Sequence, residues 1–106
     1  MTQENRRAPR RPLIASAELI DIRTEARLKA RTSDVSTVGC YLDTMTTLPA
    51  GTGVWLAISH NEETVTVLGI IANSQPHMGI RFTDVSSADH KVLEGWLAAL
   101  EPRTNL

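Results

Sequence analysis

Thr64-Val-Thr-Val-Leu-Gly-Ile-Ile-Ala72 is the stretch that decides the fold. β-branched residues dominate it, and their stiff side chains suit a pleated sheet better than a helix. Its apolar run, Val67 to Ala72, is the longest in the chain and far below the roughly 20 residues a membrane helix needs. Turn chemistry brackets it, with His60-Asn-Glu-Glu63 before it and Asn73-Ser-Gln-Pro76 after it. Beyond each turn lies another strand-like run, Val54-Trp-Leu-Ala-Ile-Ser59 on one side and His77-Met-Gly-Ile-Arg-Phe82 on the other.

Moving outward, the pattern repeats toward the N-terminus. Leu48-Pro-Ala-Gly-Thr-Gly53 is a loop, and Cys40-Tyr-Leu-Asp-Thr44 reads as a strand. Ala26, Leu28 and Ala30 alternate with Arg27, Lys29 and Arg31. Leu13, Ala15, Ala17 and Leu19 also recur at period two, which favours a strand over Leu13–Arg23, although alanine and leucine are good helix formers. Toward the C-terminus the period changes. Ser86 and Asp89 have capping-box spacing, and Val92, Leu93, Trp96, Leu97 and Leu100 share one helical face before Pro102 ends it. Six short strands followed by one helix predict an all-β domain, a small antiparallel barrel or sandwich with the helix over an open side. Residues 1–12, with four arginines, Pro9 and Pro12, read as an irregular, flexible N-terminal arm, and residues 13–101 as the folded unit.

With 106 residues the chain holds one modest core. Its net charge of −1 is uneven. Residues 1–11 carry four arginines against one glutamate, and the remainder carries seven lysines and arginines against eleven acids. A basic arm therefore precedes a mildly acidic body. That suits an anionic ligand better than the long basic groove of a nucleic-acid binder, and aromatic content of 4% is thin for base stacking. One cysteine excludes an internal disulfide framework, and Met1-Thr-Gln-Glu-Asn5 lacks signal-peptide layout, so a cytoplasmic setting without membrane attachment is expected.

No catalytic constellation assembles. His60, His77 and His90 lack metal-ligand spacing and read as exposed polar residues; Cys40 reads as a buried structural thiol. Gly51-Thr-Gly53 opens a strand, so it is not a phosphate-binding helix start. Trp96 belongs to the helix face, Trp55 is core or surface according to register, and Glu62-Glu63 reads as solvated. No catalytic residue, metal or resident cofactor is expected.

Two segments carry binding chemistry. Arg6-Arg-Ala-Pro-Arg-Arg11 holds an RxxxR spacing twice, Arg6 with Arg10 and Arg7 with Arg11. The arginine fork meets phosphate oxygens or the O6/N7 edge of guanine bidentately. Asp34-Val-Ser-Thr-Val-Gly39 reads as a turn, in which Asp34 and Ser36 bond nearby amides and Gly39 tolerates unusual backbone angles. The same carboxylate could also accept from the guanine N1 and N2 donors, and the hydroxyl could serve a base edge or phosphate.

In order, an N-terminal RxxxR, a strand pair, D-x-S-x-x-G entering a strand, Gly79-Ile-Arg-Phe82, Asp84-Val-Ser86 and a terminal helix resemble the PilZ domain, the cyclic di-GMP receptor module of bacteria. The resemblance spans about Arg6 to Leu100. It implies a six-stranded antiparallel β-barrel with a C-terminal α-helix. It implies a cyclic di-GMP site made by Arg6, Arg7, Arg10 and Arg11 facing Asp34, Ser36 and Gly39, with Arg6 and Arg10 the preferred pair. Many members carry an aromatic near the end of the long fifth strand, where Ala72 and Asn73 stand here. The expected function is a receptor whose arm changes conformation on binding and signals to an unidentified downstream protein, with no nucleic acid involved. The alternatives are a small nucleic-acid-binding barrel and a PilZ-like adaptor that does not bind nucleotide.

Overall fold

The computed structural model describes residues 10–100, in which seven strands and one helix follow one another. They are β1 (Arg11–Pro12), β2 (Ser16–Asp21), β3 (Arg27–Val35), β4 (Gly39–Asp43), β5 (Gly53–His60), β6 (Glu63–Asn73), β7 (Met78–Asp84) and α1 (Ser87–Leu100). Pairing runs β3-β2-β5-β6-β7-β4 and returns from β4 to β3, every pair antiparallel. The result is a closed six-stranded barrel with a C-terminal helix, and β1 is an extra strand laid on β3. Closure removes most of the exposed sheet edge that a small open sheet would leave.

The period-two pattern puts one side of each strand inside. Val54, Leu56 and Ile58 on β5 and Val65, Val67 and Ile71 on β6 are buried together with Leu19, Val35, Leu42 and Met78. Each such side chain contributes about 1.5–3 kcal/mol of burial free energy. Cys40 is buried among them, and burial pushes its thiol up to about 12.

The helix is positioned by its cap and by one tryptophan. The Ser86 hydroxyl accepts the Asp89 amide at 3.1 Å, as the capping spacing requires. Leu93 and Trp96 face the barrel. Trp96 Nε1 donates to a Glu63 carboxylate oxygen at 3.0 Å, and the His60 ring meets the indole edge-on with centroids 5.3 Å apart. His60 and Glu63 therefore anchor the helix to the β5–β6 hairpin, where sequence reading left them as solvated. Trp55 stands on the outer face of β5, 44% exposed.

Three boundaries differ from the sequence expectation. Arg11 and Pro12, read as irregular, pair with Val35 and Asp34 of β3. The Leu13–Arg23 strand begins regular pairing only at Ser16; between β1 and β2 the buried Thr32 hydroxyl accepts from the Ala15 amide and donates to the Leu13 carbonyl, occupying the backbone groups left by the interruption. Finally, Asp34 lies in β3 and the turn is shorter than expected, Ser36 to Val38. The cause is a bulge at Ser33: Thr32 stands opposite Leu42 but Asp34 opposite Tyr41. One extra residue shifts the alternation, so that Val35 turns into the core and Asp34 faces outward.

Candidate functional site

The bulge brings Asp34 into a row of residues on the outer face. Pro12 of β1, Asp34 of β3, Tyr41 of β4, Gly79 of β7 and Asn73 of β6 are successive cross-strand neighbours. At the centre of the row the sheet carries no side chain. A Cβ on Gly79 would stand 2.6 Å from Asn73 Oδ1 and 2.9 Å from Tyr41 Cε1, so the phenol ring and the amide close over the glycine from both sides. Asn73 is held there by donating to the His77 carbonyl at 2.9 Å.

Above this row lies a cleft of about 520 Å³ lined by Arg10, Ser33, Asp34, Tyr41, Asp43, Asn73, Pro76 and His77. Arg10 places its guanidinium carbon 4.6 Å from the Tyr41 ring centroid. That stacking is worth about 0.5–1 kcal/mol at an exposed site and leaves the N–H edges of the fork available for an anion. On the far wall His77 Nδ1 is 3.6 Å from an Asp43 carboxylate oxygen, an exposed pair. The cleft thus joins a guanidinium, an aromatic ring, two carboxylates, an amide and an imidazole. This donor and acceptor set has the chemistry a phosphorylated heterocycle would need: a cation for phosphate, a ring or guanidinium plane for a base, and a carboxylate for amino and imino donors.

The residues expected from sequence divide into three groups. Arg10 and Asp34 line the cleft together. Ser36 and Gly39 build the turn beneath it. The Ser36 hydroxyl accepts from the Val38 and Gly39 amides, both at 3.1 Å, and donates to the Gly39 carbonyl at 3.2 Å, and Ser36 is buried. Gly39 passes so close to β7 that a Cβ would stand 2.5 Å from the Ile80 carbonyl oxygen, so no larger residue fits without displacing backbone. Arg11 is half-buried in β1 opposite Val35. Arg6 and Arg7 lie outside the described residues.

Tyr41, Asn73, Gly79 and His77 were not assigned to the site from sequence. One signal was present: with Cys40 and Leu42 inside, Tyr41 had to face out of β4. An aromatic ring, that of Tyr41 on β4, stands in the same row as Asn73, two strands away from β6.

The chain belongs to the PilZ domain family, which matches it over residues 4–99. PilZ domains are a cyclic di-GMP receptor family, regulatory domains and not catalytic ones. Two solved structures resemble it closely in shape. The Bacillus subtilis inhibitor of motility, MotI/DgrA, superposes with a TM-score of 0.72 at 11% identity, covering 87% of this chain and 49% of that one. The chain therefore spans about half the length of that protein. The PilZ domain of CeSA from a cellulose-synthesizing bacterium superposes with a TM-score of 0.68 at 15% identity, covering 89% of this chain and 99% of that one. At these identities the likeness is one of fold. Among curated proteins none matches the sequence. Among the described residues no helix is long and apolar enough to cross a membrane, and no group of three or more His, Cys, Asp or Glu could hold a metal ion.

Proposed function

We propose that this protein is a cyclic di-GMP receptor that binds the dinucleotide between its arginine arm and the cleft at Asp34 and Tyr41, and passes the signal to another protein. The observation that carries the reading is the Arg10 plane stacked on Tyr41 beside the outward-facing Asp34. Arg10, with Arg6 as its RxxxR partner, holds phosphate and the guanine edge. Arg7 and Arg11 add positive charge, and Asp34 accepts from guanine. Ser36 and Gly39 fix the turn that sets Asp34 and Tyr41 at their spacing.

The arm is the moving part in this reading. Residues 1–9 offer almost no apolar side chain to bury and carry like charges, so a doubly anionic ligand supplies what would order them. Such ordering changes the surface that a partner meets while the barrel stays as it is. A regulatory role for a fold neighbour, the motility inhibitor, is in keeping with this.

Calorimetry with cyclic di-GMP, GTP and a short oligonucleotide tests the proposal. Saturable binding of cyclic di-GMP, tighter than GTP and weakened by salt, is expected. Equal or tighter binding of GTP or the oligonucleotide overturns it.

A further inference from the structure

Among the described residues one stretch of the barrel wall lacks a neighbour on one side. β4 pairs with β3 only from Arg31 opposite Asp43 to Val35 opposite Cys40. The preceding residues, Arg27 to Ala30, pair with β2 on one side, and on the other the chain has already turned away through Thr44 to Thr47. A cleft of about 520 Å³ runs along this free edge, lined by Arg27 to Arg31 and by Asp43 to Thr46.

The backbone there is directed at the cleft. The Thr32 amide donates to the Ala15 carbonyl and the Ala26 carbonyl accepts the Asp21 amide, so even-numbered residues of this stretch aim their backbone groups at β2. By the antiparallel alternation, Arg27 and Lys29 aim theirs the other way, where no hydrogen-bond partner stands among the described residues. Side chains follow a matching pattern. Arg27, Lys29 and Arg31 are exposed, while Leu28 and Ala30 lie half-buried against the core. Met45 on the opposite wall is fully exposed. The barrel therefore presents unpaired backbone groups, an incompletely covered apolar layer and a row of cations along one edge.

Charge selects the occupant. The β3 edge of a second copy would set the same cations against these, and the chain's own N-terminal segment is also net basic. Among the described residues the ion pair on the row, Arg27 to Glu18 at 3.5 Å, is exposed and readily exchanged. We propose that the free edge of β3 from Arg27 to Ala30 is a strand-addition site for an extended segment of a partner protein in which carboxylates alternate with apolar side chains. The segment's backbone bonds to Arg27 and Lys29, its carboxylates face Arg27 and Lys29, and its apolar residues extend the layer of Leu28 and Ala30. This edge adjoins the Arg10 cleft, the two sharing Asp43, but Arg27 to Ala30 lie outside that cleft, and the proposal does not depend on nucleotide binding.

The probe is a fluorescein-labelled octapeptide of alternating glutamate and valine, titrated by anisotropy into the full chain without nucleotide, with amide exchange read at each residue. Controls are the lysine–valine peptide and a glutamate–valine peptide N-methylated on the residues whose amides would face β3. Expected results are binding of the first peptide with exchange protection at Arg27 and Lys29, no binding of the lysine peptide, and loss of about tenfold or more on N-methylation. The double variant Arg27→Glu/Lys29→Glu, which alters exposed side chains only, should reverse the preference to the lysine peptide. Undiminished binding of the N-methylated peptide would show charge attraction alone and overturn the proposal. Protection centred elsewhere, or no saturable binding of the glutamate peptide at about 1 mM, would overturn it equally.

Discussion

The guanidinium of Arg10 lies 4.6 Å above the ring of Tyr41, and Tyr41 stands directly opposite Asp34 across the β3–β4 pair. Arg10 of the arm and the carboxylate of the D-x-S-x-x-G segment are thereby joined through a single aromatic side chain. Tyr41 is a platform that supports the Arg10 guanidinium over its ring, and a supported fork suits bidentate recognition of phosphate or guanine.

Arg10→Ala should weaken cyclic di-GMP binding by about 1.5–3 kcal/mol, the worth of one charge-assisted contact. Arg103→Ala, a residue to which the sequence assigns no part in binding, should leave it unchanged. Tyr41→Ala should cost about 0.5–1 kcal/mol of the Arg10 stacking, while Tyr41→Phe retains it. Calorimetry on variants with unchanged circular dichroism reads these differences. If Arg10→Ala binds as tightly as the native chain, Arg10 is not a ligand contact.

Gly79→Ala should damage the site more than its size suggests. The new methyl would stand 2.6 Å from Asn73 Oδ1 and 2.9 Å from Tyr41 Cε1, so one of them must move. Overpacking of this kind costs about 1–3 kcal/mol of stability. Thermal melts and ligand titration of the same sample check it, and the expected signature is a lower melting temperature together with weaker binding.

Cys40 should be inert to thiol reagents in the folded protein at neutral pH. Its thiol is raised from an ordinary value of 9.0 to about 12 by burial. Because the folded value is the higher one, the stabilising contribution is intact below 9.0 and is lost as pH climbs toward about 12. Labelling with Ellman's reagent, with and without denaturant, tests the first point. A denaturation series from pH 8 to pH 11 in native and Cys40→Ala chains tests the second: the native chain should lose more stability over that range.

Amide exchange on residues 3–12 should slow when cyclic di-GMP is added. The same exchange in free and saturated protein would mean that the signal does not pass through the arm.

Six of the strands and the helix were legible because alternation and turn chemistry are local: Thr64–Ala72 and the cap at Ser86 could be read where they stand. The site was only half legible. Arg10 and Asp34 belong to recognisable spacings, but the bulge at Ser33 that turns Asp34 outward has no mark in a strand read by period two, and it moved Asp34 from turn to strand. β1 has two residues and exists only through pairing with β3, so no run of its own residues announces it. Tyr41, Gly79 and Asn73 meet across three strands, a juxtaposition set by register, which a single sequence does not display. Glu63 looked like a solvated acid for the same reason; its partner Trp96 lies on another element.

The most direct measurement of the central claim is an amide chemical-shift titration of the full chain with cyclic di-GMP. Ser33, Asp34, Tyr41, Asn73 and His77 are expected to shift together and saturate at one midpoint, with Arg27 and Lys29 unmoved. No saturable shift, or a set of shifts centred away from the Arg10 and Tyr41 cleft, would contradict it.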